Sequence, residues 1–253
     1  MKDVFSLKGK NVLITGASSG IGRACAVLAS TYGANVVLVG RNSNRLKQTQ
    51  SKLLKGKHLC FNQDITENEK IEKIVGQTVE KIGKISGFVH SAGMEMTVPL
   101  QAMKPSYYNS LFSINAVSGF ELVRVISKNK YLNEKGAAFV FISSITSLIG
   151  NSSLTGYSAS KGAVVSAVRS MAVELAPKNI RVNCISPGYV NTEMMKNVAK
   201  KLTKEQMLDI EKKYLLGLGE PEDIASAVVF LLSEASRWIS GTNLIIDGGY
   251  TAQ

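Results

Sequence analysis

The sequence is short of several things, and each shortage excludes a class of protein. It has three cysteines in 253 residues, Cys25, Cys60 and Cys184. They are far apart, form no C-x-x-C pair and have no histidine at metal-ligand spacing, which excludes a disulfide framework and a zinc site. They read as buried small hydrophobes of a reduced compartment. The longest apolar run, 227–232, is far too short to span a membrane. Met1 to Lys10 mixes charged with apolar residues and lacks the apolar stretch of a signal peptide. The expectation is a soluble cytoplasmic protein with no membrane partner and no bound metal. Internal repeats and Pro/Gly/Ser-rich linkers are absent, and the five prolines lie between or at the starts of periodic segments, so 1–253 reads as one domain. Acidic residues number 19 against 30 basic ones, a formal charge of +11 that favours anionic ligands or partners. The positive charges are scattered and not interleaved with aromatics in one stripe, which argues against nucleic acid.

What is present is 45% hydrophobic residue, enough for a substantial core. Short apolar, β-branched runs recur at 11–15, 35–40, 58–61, 87–90, 137–143, 180–186 and 243–247. Most are continuous and not alternating, as strands covered on both faces require. Segments of helical period separate them at 20–33, 44–55, 66–83, 105–128, 157–176 and 222–233. This alternation predicts an α/β domain, a doubly wound parallel sheet of about seven strands with helices on both faces. Only 191–216 breaks the rhythm. It is Lys-rich and amphipathic with no strand beside it, and reads as an inserted helical lobe.

The first strand runs into Thr15-Gly-Ala-Ser-Ser-Gly-Ile-Gly22 and then a helix, the context a phosphate-binding glycine loop needs. Gly16 permits a sharp turn, Gly20 removes a Cβ where a pyrophosphate would approach, and Gly22 lets the helix pack close. A Gly/Ser turn between buried elements is the plain alternative. At the end of the second strand, where a carboxylate would bind the ribose hydroxyls of NAD, stand Gly40 and Arg41. A guanidinium there pairs with an extra phosphate, so NADP(H) is predicted over NAD(H). The plain alternative for Arg41 is a solvated loop charge. Tyr157 and Lys161, four apart at the start of a periodic helix, project from one face. A neighbouring ammonium favours the phenolate, so the pair has acid–base chemistry in it. Ser144 follows the strand at 137–143, on the side where the crevice opens. Ser143, Thr146 and Ser147 share its alternative role of closing the strand in a turn.

With the glycine loop, Ser144 and Tyr157-Ser-Ala-Ser-Lys161 together, the chain resembles the short-chain dehydrogenase/reductases over nearly its whole length. Asp64, Ala92-Gly93, Asn115, Pro187-Gly188, Thr192 and Asp247-Gly-Gly249 extend the match. The resemblance implies a Rossmann fold and a division of labour. Tyr157 would be the general acid in reduction and the base in oxidation. Ser144 would bind the reacting oxygen, Lys161 would lower the Tyr157 pKa and hold the nicotinamide ribose, and Asn115 would hold a relay water. The cofactor would lie on Gly16, Ser18, Ser19, Gly20, Ile21 and Gly22, then Arg41, Asp64 and Ile65. Its nicotinamide half would meet Ala92, Gly93, Tyr157, Lys161, Pro187, Gly188, Val190 and Thr192. For Asp64, Asn115 and Thr192 the plain alternatives are a loop carboxylate, a helix hydrogen-bonder and a helix cap. One departure stands out: the family's usual Asn-Asn-Ala-Gly is His90-Ser91-Ala92-Gly93 here, which removes a bracing amide. His90 itself reads as a satisfied histidine at a strand end.

The carboxyl-terminal third is similar to 3-oxoacyl-[acyl-carrier-protein] reductases, which implies NADPH-dependent reduction of a 3-oxoacyl thioester on an acidic carrier. Lys135 and Lys178 are expected to flank the site entrance and steer that carrier. A sugar, polyol or other secondary-alcohol dehydrogenase is the alternative, since 95–101 and 191–216 set specificity. Met94, Met96, Met194 and Met195 lean toward an apolar pocket. A cofactor-binding sensor without turnover is the remote reading. The resemblance also implies a homotetramer, joined through 222–233 and 243–250.

Overall fold

A parallel sheet of seven strands organises the chain, in the order β3-β2-β1-β4-β5-β6-β7. The computed structural model describes residues 3–200 and 203–253. The strands are β1 (Asn11–Thr15), β2 (Asn35–Gly40), β3 (Leu59–Asn62), β4 (Gly87–His90), β5 (Ala137–Ile142), β6 (Ile180–Pro187) and β7 (Asn243–Ile246). Helices α1 (Gly20–Thr31), α2 (Ser43–Gln50), α3 (Ile71–Ile82), α4 (Pro105–Phe112), α5 (Ser118–Ile126), α6 (Thr155–Leu175) and α9 (Pro221–Leu232) cover it on both faces. Alternation along a strand feeds two cores: Leu13 and Phe88 join the layer under α3, α5 and α6, while Val12, Ile14 and Val89 join the layer under α1 and α9. Burial on both faces is why the strands read as unbroken apolar runs. From β1 the chain winds to β2 on one side and returns at β4 on the other. The carboxyl ends of β1 and β4 therefore bound a crevice at the point where the order reverses.

Differences from the expected elements have local causes. β3 is the sheet's edge and alternates in burial, so Cys60 is exposed and not the buried hydrophobe expected, whereas Cys25 and Cys184 are buried. Just ahead of β3, the His58 ring accepts the Val36 N–H at Nδ1 and lies 2.6 Å from the Leu54 carbonyl, pinning the edge. The helix expected from 66 begins at Ile71, after a short 3₁₀ turn at Asn68–Lys70. The long helix expected over 105–128 is interrupted by a π-turn, Ser113–Val117, that inserts Asn115 into the interior. Within the expected lobe lie α7 (Glu193–Ala199), capped by Thr192, and α8 (Lys204–Lys212), opened by a Thr203–Gln206 capping box. Lys201 and Leu202 lie outside the described residues. Among the described residues no helix is long and apolar enough to cross a membrane.

Candidate active site

The crevice is a cavity of about 840 Å³, the size class of cofactor sites. Its floor is the glycine loop. The chain leaves β1 through Gly16 at φ +67°, and a Cβ there would lie 2.7 Å from the Ala92 nitrogen. A Cβ on Gly22 would lie 2.4 Å from the Gly16 carbonyl oxygen, so α1 starts hard against the turn. Ser19, the N-cap of α1, makes no capping bond, and the first turn of the helix carries no acidic residue. Its N–H groups and the positive end of the helix dipole are thus left for an anion. The loop is braced from behind. Arg23 donates to the Ser18 carbonyl at 2.5 Å and to Thr49 Oγ1 at 3.1 Å, and Thr49 Oγ1 donates to the Ala17 carbonyl at 2.9 Å. Cradle and donor set fit a pyrophosphate.

Toward one end lie Arg41, Asp64 and Ile65. The exposed Arg41 guanidinium is 3.6 Å from Asp64 Oδ2. Asp64 Oδ1 accepts from the Thr66 N–H and hydroxyl at 2.9 and 2.8 Å. Burial works against the Asp64 charge, but these hydrogen bonds and Arg41 outweigh it and hold the carboxyl below its usual range. Asp64 is therefore both a turn-closing carboxylate and part of the cavity wall.

Toward the other end stand Ser144, Tyr157 and Lys161. α6 begins at Thr155, which puts Tyr157 in its first turn and Lys161 one turn on. Lys161 is buried, and its Nζ donates to the Ile142 carbonyl at 2.8 Å and sits 5.9 Å from the Tyr157 ring centre. With one protein acceptor, this ammonium keeps donors for a sugar hydroxyl. Burial lowers its pKa to about 8. Ser143 and Ser144 are both buried and both line the cavity, but the Ser143 hydroxyl is spent on the Lys161 carbonyl. Ser144 Oγ accepts from the Thr146 N–H and hydroxyl, so it also closes the turn after β5.

The Tyr157 pKa moves opposite to expectation. Burial pushes it up to about 12, a hydrogen bond with Ser144 opposes this, and the Glu95 carboxylate adds to it. Lys161 is not among the groups that act on the phenol, and its Nζ donates to the Ile142 carbonyl. The phenol is fully protonated at neutral pH and thus set as a proton donor.

A family model described as enoyl-(acyl carrier protein) reductase matches residues 16–251. An NAD-dependent glycerol dehydrogenase from Listeria innocua is 35% identical over 98% of this chain and 96% of its own length. A 3-oxoacyl-[acyl-carrier-protein] reductase from Thermotoga maritima is 31% identical over 96% of this chain and 98% of its own. The crystal structure of a short-chain type dehydrogenase/reductase from Mycobacterium marinum superposes with a TM-score of 0.93, covering 99% of both chains at 32% identity. The chain belongs to the short-chain dehydrogenase/reductase family. It is an oxidoreductase of secondary alcohols and carbonyl compounds, in a family that binds a nicotinamide cofactor.

Of the catalytic and cofactor-binding residues expected from the sequence, every one but Asn115 lines this dehydrogenase/reductase's cavity. Asn115 lies one layer behind: both its amide hydrogens are donated, to the Met94 carbonyl and Ser160 Oγ, and its oxygen accepts the Met94 N–H. That leaves no amide hydrogen for the expected relay water. Thr192 is at once the cap of α7 and a cavity wall over Gly20. Lys135 and Lys178 do not flank the crevice. They precede β5 and β6, at the amino edge of a parallel sheet, and Lys178 donates to the Ser127 carbonyl. Sequence reasoning missed Arg45, Glu193, Tyr189 and Tyr214 in the wall. No motif marks the tyrosines, whereas Arg41 and Arg45 stand four apart around the strand–helix junction, a pattern open to notice.

His90 takes over the bracing left open by the missing amide. The Ala92 N–H donates to Thr15 Oγ1, which lies 3.1 Å from His90 Nδ1, and His90 Nε2 faces the Ile114 carbonyl of the π-turn at 3.1 Å. Carbonyl contact assigns the proton to Nε2. Burial, then the Lys161 charge, lower the His90 pKa to about 3 from 6.5. The unfolded chain therefore binds a proton below pH 6.5 that the folded chain refuses, so this contribution is complete above 6.5 and lost as pH falls toward 3. Urea unfolding should show stability about 2 kcal/mol lower at pH 5 than at pH 7 from this group, about 1.4 kcal/mol per pH unit below 6.5. His90→Asn should flatten that slope; an unchanged slope in the variant would show that another group carries it.

Proposed function

We propose that this chain is an NADP(H)-dependent reductase of ketones, best matched to 3-oxoacyl thioesters. The cofactor choice is carried by Arg41, which stands at the cavity rim directly after Gly40, so that β2 ends in a cation and not in the acidic residue that would bind the ribose hydroxyls of NAD. The substrate class is supported by Met194, Met195, Val198 and Ile210 on the lobe side of the cavity, an apolar and adaptable wall. The acyl-carrier partner has lost its argument with Lys135 and Lys178. When bound, the nicotinamide supplies the hydride to the carbonyl carbon. Tyr157 Oη gives its proton to the carbonyl oxygen, Ser144 donates a hydrogen bond to that oxygen, and Lys161 holds the nicotinamide ribose.

A second reading has its own observation: Glu95, Asn151 and Ser152 also line the cavity, and the Glu95 charge acts on Tyr157 and Tyr189. These polar groups suit the hydroxyls of a sugar or polyol. The homotetramer belongs to the same proposal, supported by the exposed Trp238 and Ile245 beside α9 and β7.

Steady-state kinetics with both cofactors tests the reading. NADPH should be preferred over NADH by at least about tenfold, and Arg41→Ala should erase most of that preference. A preference for NADH that survives Arg41→Ala sinks the cofactor assignment. Turnover of a ketosugar with none of acetoacetyl thioester moves the substrate to the second reading.

A further inference from the structure

Arg45 lies four residues beyond Arg41, in the first turn of α2. Its backbone N–H donates to Asn42 Oδ1 at 3.0 Å, and its carbonyl lies 3.1 Å from Thr49 Oγ1. Thr49 is the same side chain that ties α2 to the glycine loop. Arg45 lines the cavity with Arg41 and Ser18, so two guanidiniums stand at one mouth. Each has a carboxylate: Asp64 at 3.6 Å from Arg41, and Glu193 at 2.6 Å from Arg45. The two carboxylates are not equivalent. Asp64 is tied to its own loop by Thr66. Glu193 is the first residue of α7, 148 positions from Arg45 in sequence, and reaches it from the lobe. The residue before it, Thr192, has its Cγ2 3.1 Å from where a Cβ on Gly20 would be. The start of the lobe thus lies over the glycine loop and is joined across the mouth to α2.

We propose that Arg45 is a second cation for the 2′-phosphate of NADP(H), and that Glu193 holds its place until that phosphate arrives. The inference rests on the NADP(H) reading and adds a residue pair to it. A phosphate monoester brings up to about two negative charges and three strong acceptor oxygens, against one charge on Glu193. A guanidinium meets such a group with two parallel hydrogen bonds. The Arg45–Glu193 pair is about half-exposed on both sides, and an exposed ion pair is weakly held. The phosphate therefore displaces Glu193 and uncouples α7 from α2. A cofactor without it leaves the bridge closed, so the choice of cofactor is linked to the lobe that walls the substrate cavity.

Calorimetric titration of the whole chain with adenosine 2′,5′-bisphosphate, and with 5′-AMP as the probe lacking the 2′-phosphate, tests this without turnover. Arg45→Ala should weaken the bisphosphate about tenfold and 5′-AMP by less than about twofold. Glu193→Gln should tighten the bisphosphate by about threefold and have no effect once Arg45 is alanine, the signature of a coupled pair. If Arg45→Ala leaves the bisphosphate unchanged while Arg41→Ala weakens it, the inference fails and the NADP(H) reading stands. If the unaltered protein binds both probes equally, the NADP(H) reading itself fails. A Glu193→Gln variant that binds the bisphosphate no better than the parent removes the placeholder role.

Discussion

Tyr157→Phe is expected to lower kcat for carbonyl reduction by between about a hundred- and ten-thousand-fold, the usual worth of a positioned general acid. The change removes one oxygen from the cavity wall and leaves Ser144, Lys161 and the glycine loop in place. Because burial holds the phenol pKa at about 12, the parent carries its proton across the neutral range, and phenylalanine has none to give. Cofactor binding should change by less than about twofold, since the loop contacts lie elsewhere. Turnover in the variant within about threefold of the parent would remove Tyr157 from the reaction. Loss of cofactor binding in parallel would mean that the cavity, and not the proton, had been damaged. Following the nicotinamide signal in separate binding and turnover experiments distinguishes these.

Gly22→Ala should also be damaging, for a reason confined to backbone geometry. The new Cβ would sit 2.4 Å from the Gly16 oxygen and 2.7 Å from its carbonyl carbon. Both are main-chain atoms of a turn that itself packs on Ser91 and Ala92. Neither can rotate away as a side chain could, so α1 and the turn must part by roughly 1 Å to restore contact distance. Overpacking of this kind costs about 1–3 kcal/mol, or a fall in Tm of about 3–10 °C for a chain of this size. Binding should suffer more than stability, because the N–H groups that meet the pyrophosphate belong to the displaced turn; a loss above tenfold is expected, on the order of one strong charge-assisted contact. A thermal melt and an NADPH titration on the same variant check both. Unchanged affinity beside a lowered Tm would show that the glycine serves packing alone.

Much of this was open to a reader of the sequence. Strands at 11–15, 35–40 and 87–90 are continuous apolar runs, and the glycines at 16, 20 and 22 sit where a strand gives way to a helix. Both features are local, fixed by steric and burial rules that act within a few residues. The same locality explains what was misread. Cys60 sits in a run as apolar as its neighbours, but its exposure follows from β3 being the edge of the sheet, which only strand order decides. The break in the long helix at Asn115 is not announced by the residues that usually interrupt a helix, because the π-turn Ser113–Val117 contains neither glycine nor proline.

Charge was the least legible quantity. Position along the chain suggests the entrance for Lys135 and Lys178, yet a residue before a parallel strand and one after it lie at opposite edges of the sheet. Tyr157 and Lys161 share a helix face as their spacing requires, but spacing says nothing of burial, and burial set the direction in which both titrate. The sequence by itself determined the order of strands and helices, the glycine turn, and which side chains meet within one turn of helix, since these rest on contacts between near neighbours. Only the tertiary structure decided what His90 braces, that the Ser143 hydroxyl is spent on the Lys161 carbonyl, and that Glu193 answers Arg45 from across the mouth. Those depend on distances between segments far apart in the chain, and no local pattern encodes them.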